Sequence, residues 1–100
     1  MAVVMYMEWD GVTPEQYDAV RDGVRWESEH PDGAILHVPW FVDGGLRVVD
    51  IWDSPDHFQR FNEARLAPGI QAAGISGEPR VEFNPLHSRA FAPRIESITA

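Results

Sequence analysis

The sequence of 100 residues predicts one α+β domain in which four antiparallel strands carry two helices on one face. Short runs rich in β-branched and aromatic residues alternate with segments of helical periodicity, in the order β-α-β-β-α-β. Both helical segments begin with a capping residue and a proline, and a glycine-containing turn joins the two middle strands. With 44% hydrophobic and 24% charged residues, the composition is that of a single globular domain.

The N-terminal third contains the first strand and the first helix. Residues 2–9 (AVVMYMEW) form a short apolar run that ends at the turn signal Asp10-Gly11, as is typical of a strand. Thr13-Pro14 then supplies a helix N-cap and a proline at the first helical position. We expect this helix to end near residues 30–33 and to bury one apolar stripe, formed by Tyr17, Val20 and Val24.

A hairpin and the second helix occupy the middle of the chain. Residues 34–42 and 46–53 are predicted strands, joined through Asp43-Gly44-Gly45, whose glycines supply the positive φ that a tight hairpin requires. Ser54-Pro55 repeats the cap and the proline and begins the second helix, which we expect to end at Pro68-Gly69. The apolar side chains at helical spacing in this helix are Phe58, Phe61 and Leu66.

The C-terminal part supplies the last strand. Residues 80–87 (RVEFNPLH) are predicted as the fourth strand, in which Pro85 indicates an edge or an end. This element order is that of the ferredoxin-like plait. The topology leaves one face of the sheet without helices, and a second copy of the chain would cover that face most economically. We therefore expect a domain over 1–88, a homodimer, and a tail over 89–100.

Composition disfavours several classes of partner. The chain carries 16 acidic and 8 basic residues, a formal net charge of -8, so neither nucleic acid nor an anionic membrane is expected to bind. It contains no cysteine, hence no disulfide framework and no thiolate site, and we expect a cytoplasmic protein. The N-terminal run meets Glu8 and Asp10 too early for a signal peptide or a membrane span.

Strand periodicity sorts the hairpin side chains into two faces. His37 and Asp50 lie on one face, directly or diagonally opposed, together with Trp52. A carboxylate on one imidazole nitrogen fixes the tautomer and makes the other nitrogen a better base, so this pair suggests an oriented general base. The alternative is a buried polar pair that satisfies itself. The other face is almost wholly apolar and includes Val38, Trp40, Val49 and Ile51.

Further candidates for substrate contact come from other elements. Asn62 and Arg65 lie within the apolar stripe of the second helix, where they could hold a ligand carbonyl, phenolate or carboxylate. Alternatively, Arg65 reaches out to solvent and Asn62 caps a loop. Tyr6 and His87 could line the same cavity as His37.

Sequence motifs offer little support for a cofactor. The four histidines show no ligand spacing, so no metal site is predicted, and no phosphate loop or flavin or nicotinamide fingerprint occurs. Cofactor-free chemistry or haem would remain.

With these elements placed, the hairpin GGL and the passage VVDIWDSPDHFQRF at 48–61 resemble the dimeric α/β barrel superfamily, near the antibiotic biosynthesis monooxygenase-like proteins. The likeness covers about residues 1–88. It implies a homodimer whose sheets pack face to face, with each pocket between one sheet and its own helices. The superfamily includes cofactor-independent quinone-forming monooxygenases, haem-degrading enzymes, polyketide cyclases, muconolactone isomerases and ligand-sensing domains, so it names no single reaction.

The resemblance holds only in part when the site residues are compared. Trp52 matches the pocket tryptophan of the monooxygenase pattern, but Val48 and Phe58 stand where that pattern has asparagine and tyrosine. Asn62 stands where haem-degrading members have the histidine that ligates iron. Cyclase-type members pair a histidine with a tyrosine or a second histidine, which His37, Tyr6 and His87 could mimic.

The leading hypothesis is a homodimeric, cofactor-free enzyme that abstracts a proton from a small aromatic or polyketide-like molecule, in a monooxygenase-like or a cyclase- or isomerase-like reaction. His37 would be the base and Asp50 would orient it. Trp52, Phe58 and Arg65 would hold the substrate. A non-catalytic ligand-binding module of the same fold is the alternative, and a haem-binding or haem-degrading protein is the second alternative.

Overall fold

The computed structural model describes residues 1–98, which form one four-stranded antiparallel sheet with helices against one face. The strands are β1 (Val3–Asp10), β2 (Ala34–Val42), β3 (Gly45–Trp52) and β4 (Arg80–Pro85). The helices are α1 (Pro14–Val24), α2 (Pro55–Phe61) and α3 (Ala67–Ala72), with a π-helical turn at Asn62–Leu66 and a short 3-10 turn at Ile95–Ser97. The strand order β2-β3-β1-β4 is that of the ferredoxin-like plait, so the predicted fold of the single chain is confirmed.

The register of the hairpin determines which side chains share a face. His37 pairs directly with Asp50, and the neighbouring pair is Val38 with Val49, as strand periodicity predicts. The connection consists of two residues, and Gly44 takes the left-handed conformation that the turn requires, with a φ of 93°. One irregularity interrupts this ladder, a register shift that leaves Ile35 without a partner on β3.

The helix-covered face of the sheet, here called the inner face, forms the hydrophobic core. Its buried side chains come from alternate residues of β1, from α1 and from α2, and they include Met5, Met7, Val20, Val24, Phe58 and Phe61. Burial of each such side chain stabilises the fold by roughly 1.5–3 kcal/mol. This layer holds α1 and α2 on the sheet and so fixes the position of every side chain that projects from the inner face of the hairpin.

Helix α1 begins as predicted and ends earlier than predicted. The Thr13 hydroxyl accepts a hydrogen bond from the Gln16 N–H, and the Gln16 side chain accepts one from the Thr13 N–H, which completes a capping box. The helix ends at Val24 rather than near 30–33, because Arg25 takes the left-handed conformation, with a φ of 61°, and closes the last turn on Arg21.

The second helical segment continues past the predicted end at Pro68-Gly69. These two residues lie in the first turn of α3, directly after the π-helical turn Asn62–Leu66. A proline is tolerated there because the π turn shifts the hydrogen-bond ladder just before it, with the Ala67 N–H bonded to the Asn62 carbonyl. A side chain at Gly69 would collide with Val24, so this glycine lets α3 pack closely on α1.

The C-terminal segment differs slightly from the prediction. Strand β4 ends at Pro85 rather than at residue 87, since a proline ends the ladder pairing with β1. The residues that follow are mostly exposed up to the turn Ile95–Ser97. Residues 99 and 100 of the expected tail lie outside the described part of the chain. Within residues 1–98, no helix has the length and apolar character needed to cross a membrane.

Candidate functional site

A chain of hydrogen bonds crosses the inner face of the β2-β3 hairpin and links Trp52, Asp50, His37 and Tyr17. Asp50 is at its centre and is the one buried charged or polar side chain within residues 1–98, with 5% exposure. Its Oδ1 accepts a hydrogen bond from His37 Nδ1 at 2.7 Å, and its Oδ2 accepts one from Trp52 Nε1 at 3.0 Å. His37 Nε2 lies 2.8 Å from the Tyr17 hydroxyl. We call these four residues the hydrogen-bond chain.

Local geometry explains how the sequence assembles this chain. Asp50 and Trp52 are two residues apart on β3, so both project from the inner face. The hairpin register places His37 directly opposite Asp50. Helix α1 carries Tyr17 one turn after its N-cap and lays that side chain over the sheet, where the hydroxyl reaches the imidazole.

The partners of His37 determine its tautomer. An ionised carboxylate only accepts hydrogen bonds, so Nδ1 carries the proton in the contact with Asp50. The Nε2 atom of the neutral ring is then an acceptor, and the Tyr17 hydroxyl donates to it. His37 therefore has one basic nitrogen, and this nitrogen points at Tyr17.

Solvent access increases along the hydrogen-bond chain. The bond between Trp52 and Asp50 is buried, and the bond between Asp50 and His37 is partly buried. The bond between His37 and Tyr17 is exposed, and the His37 side chain retains 37% of its accessible surface. A small molecule can therefore reach the hydrogen-bond chain at the exposed bond between His37 and Tyr17, and not at the buried bond between Trp52 and Asp50.

Aromatic rings surround that accessible end. The Tyr17 ring lies parallel to the imidazole of His37, with 6.2 Å between centroids, and Trp26 meets the imidazole edge to face at 5.5 Å. Trp26 and Phe41 also contact the Tyr17 ring edge to face, at 5.6 and 6.1 Å. Burial raises the pKa of the Tyr17 hydroxyl above its ordinary value, so this group is a neutral donor at physiological pH.

Two predicted substrate contacts, Trp52 and Phe58, lie beneath the site. They are 3% and 6% exposed and meet edge to face at 5.4 Å. Phe61 completes this layer at 5.7 Å from Trp52. The geometry gives Trp52 a different contact from the one predicted, since its indole N–H holds the second oxygen of Asp50.

Arg65, on the second helical segment, binds the end of α1 rather than His37. Arg65 donates to the main-chain oxygens of Val24 and Glu29 at 2.9 and 2.8 Å, and its guanidinium lies 5.3 Å from the centre of the Phe61 ring. It thereby closes the end of α1 and holds the turn that follows. Asn62 is half-buried at the start of the π-helical turn. Binding of a substrate by Arg65 or Asn62 remains a prediction.

Tyr6 and His87 were expected in the same cavity as His37, and the structure places both elsewhere. Tyr6 pairs with Val49 and Glu82, so it projects from the helix-free face of the sheet, whereas Asp50 pairs with Met5 on the inner face. The sequence does not predict the register of β1, and the prediction that Tyr6 lines a cavity with His37 was wrong. His87 lies beyond the end of β4 and is exposed.

Tyr17 and Trp26 were not predicted as site residues. The helical spacing assigned Tyr17 to the buried stripe of α1, and its phenolic hydroxyl was the one available signal, because a buried tyrosine usually needs a hydrogen-bond partner. Trp26 reaches the site because α1 ends at Val24, which no pattern in the sequence predicts. Within the described part of the chain, no group of three or more His, Asp or Glu side chains could hold a metal ion.

Comparisons with known proteins identify the fold. Neither a family model nor a curated protein matches the chain. SnoaB, a cofactor-independent oxygenase from Streptomyces nogalater, matches with a TM-score of 0.58 at 14% identity, over 92% of this chain and 96% of that one. Rv0793 from Mycobacterium tuberculosis matches with a TM-score of 0.63 at 15% identity, over 91% and 100% of the two chains.

A candidate antibiotic biosynthesis monooxygenase from Caulobacter crescentus gives a TM-score of 0.63 at 14% identity, over 87% of this chain and 91% of that one. Structural likeness at such low identity establishes a shared fold, whereas the reaction depends on the residues of the site. The predicted resemblance to the antibiotic biosynthesis monooxygenase-like proteins is thus confirmed at the level of the fold.

Proposed function

We propose that the protein is a cofactor-independent enzyme that removes a proton from a small aromatic or polyketide-like molecule, with His37 as the general base. One observation carries the proposal: the buried carboxylate of Asp50 is bonded to Nδ1 of His37 and leaves Nε2 as its basic atom. A base needs this arrangement because the proton it accepts must go to a defined atom.

Asp50 has two tasks in this scheme. It orients the imidazole, and it stabilises the positive charge that His37 acquires when it takes a proton, since the resulting ion pair is partly buried. Trp52 supports both tasks by holding Oδ2 of the carboxylate. A buried carboxylate with two donors is costly to place in a core unless its contacts are well formed, which supports a functional reason for it.

The surroundings favour an aromatic substrate. The accessible end of the hydrogen-bond chain is bordered by the rings of Tyr17, Trp26 and Phe41, which suit a flat apolar molecule. Abstraction of an acidic C–H or phenolic proton is the first step shared by monooxygenation with molecular oxygen and by cyclisation or isomerisation. The description of SnoaB as a cofactor-independent oxygenase supports the first of these reactions.

We further propose that two copies associate through the helix-free face, here called the outer face. On it, Val38 and Trp40 are 38% and 39% exposed, beside Val49 and Ile51. Exposed apolar side chains on a sheet face without helices are typical of an interface, and the charged Arg47 lies opposite Trp40 on this face. The cysteine-free composition suits a reducing cytoplasm, which we propose as the location of the protein. We also propose that the domain spans residues 1–88 and that residues 89–100 form a tail.

The test uses an aromatic carbon acid, benzoylacetone, whose exchange of the central C–H for deuterium is followed by proton NMR. His37→Ala should lower the catalysed exchange rate by about 100-fold or more, the usual contribution of a general base. The matched control is His30→Ala, which removes an exposed histidine. Exchange by His37→Ala at the wild-type rate would overturn the proposal. Binding of the diketone without any exchange by the wild type would favour the ligand-binding module instead.

A further inference from the structure

We infer that Tyr17 is a catalytic residue, whose hydroxyl meets the substrate and passes a proton to His37. The inference rests on the proposed function and refines it. Nε2 is the only basic nitrogen of His37, and it is already occupied by the Tyr17 hydroxyl at 2.8 Å. The atom that faces an incoming molecule is therefore the Tyr17 oxygen, at the exposed end of the hydrogen-bond chain.

The proton transfer balances without any further reactant. The C–H or O–H bond of the substrate breaks and its proton bonds to Oη of Tyr17, while the electron pair stays on the substrate as an enolate or phenolate. The original Oη–H bond breaks at the same time, and that proton bonds to Nε2 of His37. The products are a substrate anion, a neutral Tyr17 and an imidazolium paired with Asp50.

Packing favours a tyrosine that acts in place over one that moves aside. The Tyr17 ring is held edge to face by Trp26 and by Phe41, and it lies parallel to His37. Moving the ring to expose Nε2 would break all these contacts together with the hydrogen bond. Because aromatic contacts of this geometry are individually favourable, their simultaneous loss disfavours a displaced ring.

The surroundings of the Tyr17 hydroxyl keep it protonated. Burial is the largest effect and raises the pKa of Tyr17, whereas the positive charge of Arg21 lowers it. Three acidic side chains raise this pKa further: Glu27, Asp50 and Asp18. A tyrosinate is therefore disfavoured at rest, and Tyr17 loses its proton only as it gains one from the substrate.

The chain offers a matched control for this residue. It contains two tyrosines, and Tyr6 projects from the outer face of the sheet. Tyr6→Phe removes the same hydroxyl group from the opposite face. The transfer of the substrate proton through Tyr17 to His37 is here called the relay. Comparison of the two variants separates this relay from any general effect of losing a phenol.

The first experiment measures deuterium exchange of benzoylacetone by Tyr17→Phe, Tyr6→Phe, His37→Ala and the Tyr17→Phe/His37→Ala double variant. The relay predicts that Tyr17→Phe lowers kcat by about 100-fold, and that the double variant is no slower than His37→Ala, because the two residues act as a unit. Exchange by Tyr17→Phe at the rate of Tyr6→Phe, with His37→Ala impaired, would overturn the inference and leave the proposed function standing. Wild-type rates in both His37→Ala and Tyr17→Phe would overturn both proposals.

A second experiment keeps the inference testable if Tyr17→Phe folds poorly. In the Tyr6→Phe background, biosynthetic incorporation of 3-fluorotyrosine labels position 17 alone, because no other tyrosine remains. Fluorine makes the phenol more acidic while the ring contacts persist. The relay predicts that the alkaline limb of the kcat–pH profile shifts to lower pH. A profile identical to that of the unlabelled Tyr6→Phe protein would overturn the inference, since a purely structural tyrosine would not change it.

Discussion

The two faces of the β2-β3 hairpin are built from alternate residues of the same strands, yet they differ in what they bury. On the inner face, the charged side chain of Asp50 is 5% exposed and has two side-chain donors. On the outer face, the apolar side chain of Trp40 is 39% exposed. The first arrangement places a polar group in the core, and the second leaves an indole in contact with water.

This difference indicates what each face requires. A buried charge must find its partners within the same chain, which fixes the atoms of His37 and Trp52 relative to Asp50. An exposed apolar surface instead gains stability when another surface covers it. We therefore expect inner-face substitutions to change the reaction, and outer-face substitutions to change association.

The largest effect should follow Asp50→Asn. The amide cannot stabilise the imidazolium as a carboxylate does, so the rate of benzoylacetone exchange should fall by about 10²–10⁴-fold. The matched control is Asp53→Asn, an exposed aspartate just beyond the end of β3. Equal exchange rates for the two variants would contradict the role assigned to the inner face.

On the outer face, Trp40→Glu should weaken the dimer without impairing the fold of each chain. Burying a carboxylate at an interface costs several kcal/mol, and the directly opposed Arg47 offsets this only in part because it already binds Asp10 and the Leu46 carbonyl. The dissociation constant should therefore rise by about 100-fold or more. Sedimentation equilibrium measures this constant, and Trp40→Phe serves as the control. A wild-type protein that is monomeric at all concentrations would remove the basis of the outer-face assignment.

A smaller effect is expected when one tryptophan from each face is replaced by phenylalanine. Trp52→Phe preserves a ring in the core but leaves Oδ2 of Asp50 without its donor, so it should lower the free energy of unfolding by about 1–3 kcal/mol. Trp40→Phe removes an indole N–H from an exposed position and should change that free energy by about 0.5 kcal/mol or less. Urea unfolding, measured under conditions in which both variants have the same oligomeric state, gives the two values. Equal losses would show that the hydrogen bond to Asp50 contributes little.

The smallest effect concerns the two tyrosines at alkaline pH. The folded-state pKa of Tyr17 is raised by burial, so the native state holds this proton more tightly than the unfolded chain does. Its contribution to stability is complete below the ordinary tyrosine pKa of about 10 and is lost as the pH rises above it. Because the sequence has neither lysine nor cysteine, few other side chains titrate in this range.

Tyr17→Phe should therefore lose less stability than the wild type between neutral pH and a pH above 10, as measured by urea unfolding at each pH. The pKa of Tyr6 is also raised, so Tyr6→Phe shows how much of the wild-type slope belongs to the outer face. A Tyr17→Phe slope as steep as that of the wild type would contradict the raised pKa of Tyr17.

Much of the fold could be predicted because its signals are local. The caps at Thr13 and Ser54 begin helices as expected, and the hairpin register follows from a short glycine turn and the two-residue period of a strand. The same period brought His37 and Asp50 to one face, so the centre of the site could be predicted as well.

The remaining features depend on packing between distant segments. The close approach of Gly69 to Val24 and the left-handed Arg25 are not encoded in helical periodicity, so the ends of both predicted helices were wrong. The early end of α1 also brings Trp26 to His37. Tyr6 could not be assigned a face because the register between β1 and β3 depends on a pairing of residues far apart in sequence.

Asp50 and Tyr17 should hold His37 as a single tautomer with a basic Nε2, and ¹⁵N NMR of the imidazole nitrogens tests this most directly. In the neutral ring, His37 should show a protonated Nδ1 and an unprotonated Nε2. The Nε2 signal should move when Tyr17→Phe removes its donor. The exposed His30 serves as the reference for an averaged ring. A protonated Nε2 on His37, or signals indistinguishable from those of His30, would contradict the account.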